Sequence, residues 1–178
     1  MTARPATPSD YVWLYQNTDY MADGLKCAKE MMPDIIDRAP ARFLDYGSGR
    51  GDLARYYNSR FRGIMHSWDP AIAKTELPPK YPVDWITCFD VLEHLTETTV
   101  IDALWQMHQI ARKGLILAIA NMSDVHQVDG AAVELHLIQQ PAQWWLSLLE
   151  VWFPIHRITL RPFPYPERFG FVIEKITP

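Results

Sequence analysis

Residues Phe43-Leu44-Asp45-Tyr46-Gly47-Ser48-Gly49-Arg50-Gly51-Asp52-Leu53 run from an apolar stretch ending in an acid, through three glycines at alternate positions, into a helix-forming segment. A strand that feeds a glycine turn and then a helix is a junction of α/β folds, and it constrains this chain more than any other segment. Such a turn uses backbone angles closed to other residues and lets a ligand lie against the main chain. The helix that follows begins with unpaired N–H groups, which are expected to face that ligand. Asp45, Tyr46, Gly47, Ser48 and Gly49 are therefore the first candidates for binding a nucleoside-type cofactor.

The spacing narrows the cofactor. A dinucleotide-binding turn carries a third small residue one place after Gly51, where this chain has Asp52, and that argues against a nicotinamide oxidoreductase. A second apolar stretch, Gly63–Trp68, ends in Asp69-Pro70. This puts a carboxylate about 20 residues past the glycines, where an acid can take both ribose hydroxyls. Farther along stands Val83-Asp84-Trp85-Ile86-Thr87-Cys88-Phe89, followed by Asp90-Val91-Leu92-Glu93-His94-Leu95.

The acid-ended strand with its Gly-x-Gly-x-Gly turn, together with the Asp-Val-Leu-Glu-His-Leu stretch, resembles the class I (Rossmann-like) S-adenosylmethionine (SAM) dependent methyltransferases. The resemblance implies a mostly parallel sheet with helices on both faces and an antiparallel C-terminal hairpin. It implies SAM as cofactor, with S-adenosylhomocysteine (SAH) as product. Phe89 and Asp90 would border the cofactor with Asp69 and Pro70, and Glu93 and His94 would stand near the methyl acceptor. His94 is the first candidate for a catalytic base because an imidazole titrates near neutrality. One departure stands out: about a dozen residues separate Asp69 from the strand at Val83, where the family fits a helix and a third strand. That strand is expected to be shortened or lost, with Glu76 or Asp84 the only acids placed to replace its adenine contact. The exposed sheet edge could be covered by a second subunit, the same chain or another.

With 178 residues, 48% of them apolar, the chain is long enough for one well-buried core. A single domain is expected, residues 1–40 forming an N-terminal helical cover or lid and 41–178 the cofactor-binding core. Seventeen basic residues face 21 acids, and no basic run is interleaved with aromatics, so direct nucleic-acid binding is not favoured. Cys27 and Cys88 fit no metal-ligand spacing and suit free thiols in a reducing compartment. No secretion signal or membrane span is recognised, which points to a cytoplasmic protein.

Apolar periodicity predicts a helix from Tyr20 to Asp37 and a second, capped by Thr96 and closed by Gly114. Strands are expected at 42–46, 63–68, 83–89, 115–120, 155–161 and 169–176, the last two as a hairpin. Short helices are expected at 52–58 and from Pro141 to Trp152. Asn121 to Val133 reads as a loop at the end of the sheet where such folds bind ligands. Its polar residues and those just beyond, Asn121, His126, Glu134 and His136, are the acceptor-contact candidates. With Asp124 they match no established ligand spacing, and no metal is expected. Trp144 and Trp145 read as core packing or an acceptor pocket. Tyr11, Tyr15 and Tyr20 could bring aromatic faces to the sulfonium, Tyr15 foremost, while Trp13 packs. The chain lacks an Asn-Pro-Pro-Tyr or Asp-Pro-Pro-Tyr stretch after Phe89 and a Pro-Cys pair, which turns the reading away from DNA-base acceptors. An O or N acceptor on a small molecule, nucleotide or sugar derivative is expected; the alternative is a SAM-binding, non-catalytic subunit of a larger complex.

Overall fold

The middle strands are apolar on both faces, so they demand a sheet covered on both sides. The computed structural model, which describes residues 3–20, 24–73, 78 and 80–176, contains that sheet. In chain order the elements are β1 (Arg4–Pro5), α1 (Pro8–Asn17), α2 (Gly24–Ile36), β2 (Arg42–Tyr46), α3 (Asp52–Arg60), β3 (Ile64–Trp68), α4 (Pro70–Ala73), β4 (Val83–Phe89), α5 (Glu97–Ile110), β5 (Ala111–Ala120), β6 (Val125–Val128), β7 (Ala131–Glu134), α6 (Ala142–Trp152), β8 (His156–Pro162) and β9 (Arg168–Lys175). The main sheet has the order β3-β2-β4-β5-β9-β8. Its first four strands are parallel, and β9 and β8 are antiparallel.

Alternation along the strands sorts the core into two layers. Leu44, Ile86, Leu115 and Leu117 pack against Leu104 and Met107 of α5 and Trp145 and Leu149 of α6. Phe43, Trp85, Ile116 and Val172 pack against Met31 and Ile35 of α2 and Leu53 and Tyr57 of α3. Each such side chain contributes about 1.5–3 kcal/mol on burial. Helix α2 is thus part of this layer and covers that face of the sheet. The expected helix start at Tyr20 meets residues 21–23, which lie outside the described residues.

Thr96 opens α5 as expected: its hydroxyl accepts the Thr99 N–H, and the Thr99 hydroxyl accepts the Thr96 N–H. The helix ends at Ile110, however, and Gly114 is no cap. It lies inside β5, where a Cβ would come within 1.9 Å of the Ile173 carbonyl oxygen of β9. Glycine there permits the close approach of two strands.

The segment expected as a loop from Asn121 to Val133 instead contains a hairpin. β6 and β7 pair antiparallel, and β1 joins β7 in parallel to make a second, three-stranded sheet. The turn is Asp129-Gly130, both with positive φ (47° and 78°). This geometry matches the twist of a two-residue hairpin. Helix α1 lies on the small sheet through Leu14, which is buried with Val128, Val133 and Leu135.

The shortened region is equally plain. β3 forms one edge of the main sheet, and among the described residues no strand lies outside it. The four-residue α4 and the ring of Tyr81, 4.9 Å from that of His66, stand beside this edge. No helix among the described residues is long and apolar enough to cross a membrane.

Candidate functional site

The loops at the C-terminal ends of β2, β3 and β4 meet at one cleft. Gly47, Gly49 and Gly51 all have positive φ (72°, 51° and 77°). At Gly47 a Cβ would lie 2.4 Å from a methyl of Val91, so the loops after β2 and β4 interlock with no room for a side chain. The loop amides are spent on the protein itself. Gly47 and Ser48 donate to the Trp68 carbonyl, Gly51 donates to the Ser48 carbonyl, and Gly49 donates to Asp69. Asp69 also accepts from Ala71 N–H, each bond 2.9 Å, so the acid locks the glycine turn to the end of β3. Burial pushes the Asp69 carboxyl up, opposed by these amides.

The main cleft, about 710 Å³, is walled by Tyr46, Gly47, Trp68, Asp69, Pro70 and Ala71 on one side and by Asp90, Val91, His94 and Leu95 on another. α5 adds Thr99, Asp102 and Gln106, and the Gln106 side-chain oxygen accepts the Tyr46 hydroxyl at 2.8 Å. The roof is α1 and its continuation, through Tyr11, Tyr15 and Tyr20. Burial raises all three phenols, so they stay neutral. Trp13 packs with the small sheet, as expected.

A second cleft of about 430 Å³ adjoins the first and shares Tyr20 and Asp90 with it. Met122, Ser123, Asp124, His126, His136 and Arg168 line it. Asp90 sits at the seam in the left-handed region (φ 58°). Its N–H donates to the Ala118 carbonyl, and its carboxylate takes the Arg168 guanidinium at 3.1 Å. His94 reaches the same seam. Its Nδ1 is 3.1 Å from the Tyr11 hydroxyl and 3.2 Å from the Leu135 carbonyl. His136, 3% exposed, faces it with ring centroids 4.6 Å apart.

Of the residues expected at the site, Tyr46, Gly47, Asp69, Pro70, Asp90, Tyr15, His94, His126 and His136 line one of the two clefts, and several others do not. Asp45 and Phe89 belong to the opposite strand face, because alternation turns them toward α2 and α3. Asp45 accepts the Thr87 hydroxyl at 2.8 Å, and burial lifts its carboxyl to about 7. Ser48 and Gly49 brace the turn from behind. Glu93 is wholly buried, neither solvated nor facing the acceptor side: it accepts the Ala120 N–H, and burial and Asp90 push its carboxyl well up. Glu134 brackets the hairpin by accepting from Ser123, Asp124 N–H and His136 N–H. The Asn121 N–H is bonded to the Glu167 carbonyl, and neither Asn121 nor Glu134 lines a cleft. Trp145 is core and Trp144 packs against it. Cys88 is buried within the sheet. Asp84 lies at the other end of β4 and accepts from Arg42 N–H and Lys113, so it cannot meet an adenine. Glu76 and the Cys27 side chain lie outside the described residues. Nor does His94 titrate near neutrality, since burial, then the neighbouring His136, lowers it to about 4. Arg168 and Gln106 were not legible in sequence, because nothing local distinguishes them from other polar residues on a strand and a helix.

A family model described as "Methyltransferase domain" matches residues 14–161. Comparison with curated protein sequences finds no match. Among solved structures, a DhpI–SAH complex superposes with a TM-score of 0.64 at 9% identity over 93% of each chain. A 1,6-didemethyltoxoflavin-N1-methyltransferase from Burkholderia thailandensis, with bound 1,6-didemethyltoxoflavin and SAH, scores 0.57 at 16% identity, covering 99% of this chain and 94% of that one. SAM-bound CalS10, an amino pentose methyltransferase from Micromonospora echinaspora, scores 0.51 at 12% identity, covering 99% and 100%. With the family model spanning most of its length, the chain belongs to the methyltransferase-domain family, and it shares its fold with these SAM- and SAH-bound structures.

Proposed function

We propose that the main cleft holds SAM and that the smaller cleft receives an O or N acceptor on a small molecule, in the class of nucleotide or sugar derivatives. One observation carries this reading: the glycine turn, the Asp69 carboxylate and the end of β4 border a single cleft beneath three tyrosines. The residues fit the cofactor. Gly47 lets a ligand lie against backbone, and Asp69 keeps lone pairs for ribose hydroxyls. Tyr11, Tyr15 and Tyr20 offer aromatic faces to a sulfonium, and Asp102 and Gln106 supply polar groups on the α5 side. The acid of a third strand has no counterpart among the described residues, so adenine would rest on backbone at Asp90 and Val91 and on apolar contact.

SAM, when bound, supplies an electrophilic methyl on a positively charged sulfur. The chain's part is to hold donor and acceptor at attack distance and to exclude water. His94 presents a neutral ring to the seam, where its lone-pair nitrogen can receive a proton from the acceptor. Glu93 acts on the same turn by positioning, from beneath. Asn121 and Glu134 shape the acceptor side through the hairpin, while His126 and His136 border it directly. Two similar structures are of a didemethyltoxoflavin N1-methyltransferase and an amino pentose methyltransferase; these properties of other proteins support a small-molecule acceptor here. We also read the chain as one domain with α1 as its lid, located in the cytoplasm, with the edge strand β3 open to a second subunit.

Titration calorimetry with SAM, SAH and NAD in parallel tests the reading. Micromolar binding of both adenosyl ligands and none of NAD is expected; silence with SAM and SAH overturns it. Asp69→Ala should weaken both by about 1–3 kcal/mol. Binding without turnover across a panel of small hydroxyl and amine acceptors would favour the non-catalytic subunit.

A further inference from the structure

At the seam between the clefts, Asp90, His94 and His136 each bring one ligating atom to a common point, the three atoms lying within 4.8 Å of one another. They arise from the residue after β4, the short turn that follows it, and the segment leaving β7. Hydrogen bonds define the tautomer of both rings. The His136 Nδ1 is 2.6 Å from the Met122 carbonyl, so Nδ1 carries the proton and Nε2 the lone pair. The His94 Nδ1 faces the Leu135 carbonyl and the Tyr11 oxygen, and the Tyr11 proton itself goes to Leu135. Nδ1–H is again the donor, and Nε2 is again free to bind. Imidazoles oriented by donation to backbone carbonyls are how proteins present nitrogen to metal ions.

The rings meet nearly perpendicular, at 80°, and one nitrogen of each lies within 4.8 Å of the other and of an Asp90 oxygen. Two imidazole nitrogens this close to a carboxylate call for a cation or proton among them. The charge nearby adds to that demand. Asp124 Oδ2 stands 4.0 Å from the His136 Nε2. Beside these two acids, Arg168 engages Asp90 Oδ1 at 3.1 Å.

We propose that Asp90, His94 and His136 form a binding site for one divalent first-row transition cation, of the Zn²⁺, Mn²⁺ or Co²⁺ class. Two nitrogens and one oxygen suit such ions, and three protein ligands leave positions open for water or another oxygen. Ligand atoms about 2.1 Å from a tetrahedral ion lie about 3.4 Å apart, so the three side chains close on the ion by up to about 1.4 Å to complete the site. Asp90 borders both clefts, His94 the larger and His136 the smaller. The open positions therefore fall between donor and acceptor; only this last point rests on the functional reading above. With the ion bound, the His94 lone pair is spent on it and no longer available to a proton.

The test is a Co²⁺ titration of the chelator-stripped full chain, followed by visible d–d absorption and thermal unfolding, with Zn²⁺ as competitor. One equivalent of Co²⁺ should produce a saturable band, raise the melting temperature and be displaced by Zn²⁺. His136→Asn and His94→Gln should each lose the band, whereas His126→Ala should keep it. Absence of a saturable band in the wild type overturns the proposal, as does an unchanged band in either ligand variant. Should one ligand variant fail to fold by circular dichroism, the other and the wild-type titration decide. SAM calorimetry on the stripped protein runs alongside: SAM binding without a Co²⁺ band removes the metal site alone, and a Co²⁺ band without SAM binding removes the cofactor reading alone.

Discussion

The floor and the roof of the main cleft are built on different principles. The floor is backbone: the glycine turn, its amides paired within the loop and to Asp69, interlocked with Val91. The roof is side chain: three tyrosines on α1 and the residues after it, held by a small apolar cluster on a separate three-stranded sheet. A surface made from main chain fixes the shape of what it holds and has little tolerance for change. One made from rings tunes charge and contact and can be altered by degrees.

The comparison is tested first beneath the floor, where the largest effect is expected. Asp45 has its carboxyl raised by burial to about 7, against about 3.9 in an unfolded chain. The folded state therefore holds a proton that the unfolded state releases. This contribution is fully present below about pH 4, is lost as pH rises toward 7 and is level above that, by up to about 4 kcal/mol in all. Asp45→Asn, which keeps an acceptor for Thr87, should abolish that slope in urea unfolding; parallel pH profiles for the two proteins would show that the floor is not braced this way. Next is the floor itself. Gly47→Val should cost SAM binding about 100-fold or more, about 3 kcal/mol, through positive-φ strain and collision with Val91. Adding Val91→Ala should relieve only the collision, and full recovery in that double variant would make the wall a side-chain surface after all.

The roof should respond by degrees. Tyr15→Leu is expected to weaken SAM by about 1 kcal/mol, the scale of a partly exposed cation–π contact, and SAH by less, because the thioether carries no charge. Equal losses for the two ligands in calorimetry would reduce the tyrosine roof to apolar cover.

The same contrast governs what could be read in the sequence. The floor was legible because glycine spacing encodes backbone angles directly, and Asp69 follows at the interval the fold requires. Within that segment the errors came from facing: Asp45 and Phe89 flank the right loops, but the period of two sends them to the α2 and α3 side. The hairpin was missed although Asp129-Gly130, following Val128, is a strong turn signal. The seam was the least legible, since Tyr11, His94 and His136 are brought together across 83 and 42 positions by the pairing of β1 with β7. No local pattern announces a contact of that kind.

That pairing has a kinetic consequence. β1 ties α1 to the strand that leads directly into His136, and Tyr11 bridges the roof to His94. If, as proposed, the roof lifts to exchange a ligand, it strains the His136 side of the seam in the same motion. Loading, alignment and discharge then become phases of one hinged displacement through solvent, and the turnover number should fall as glycerol or sucrose thickens the medium.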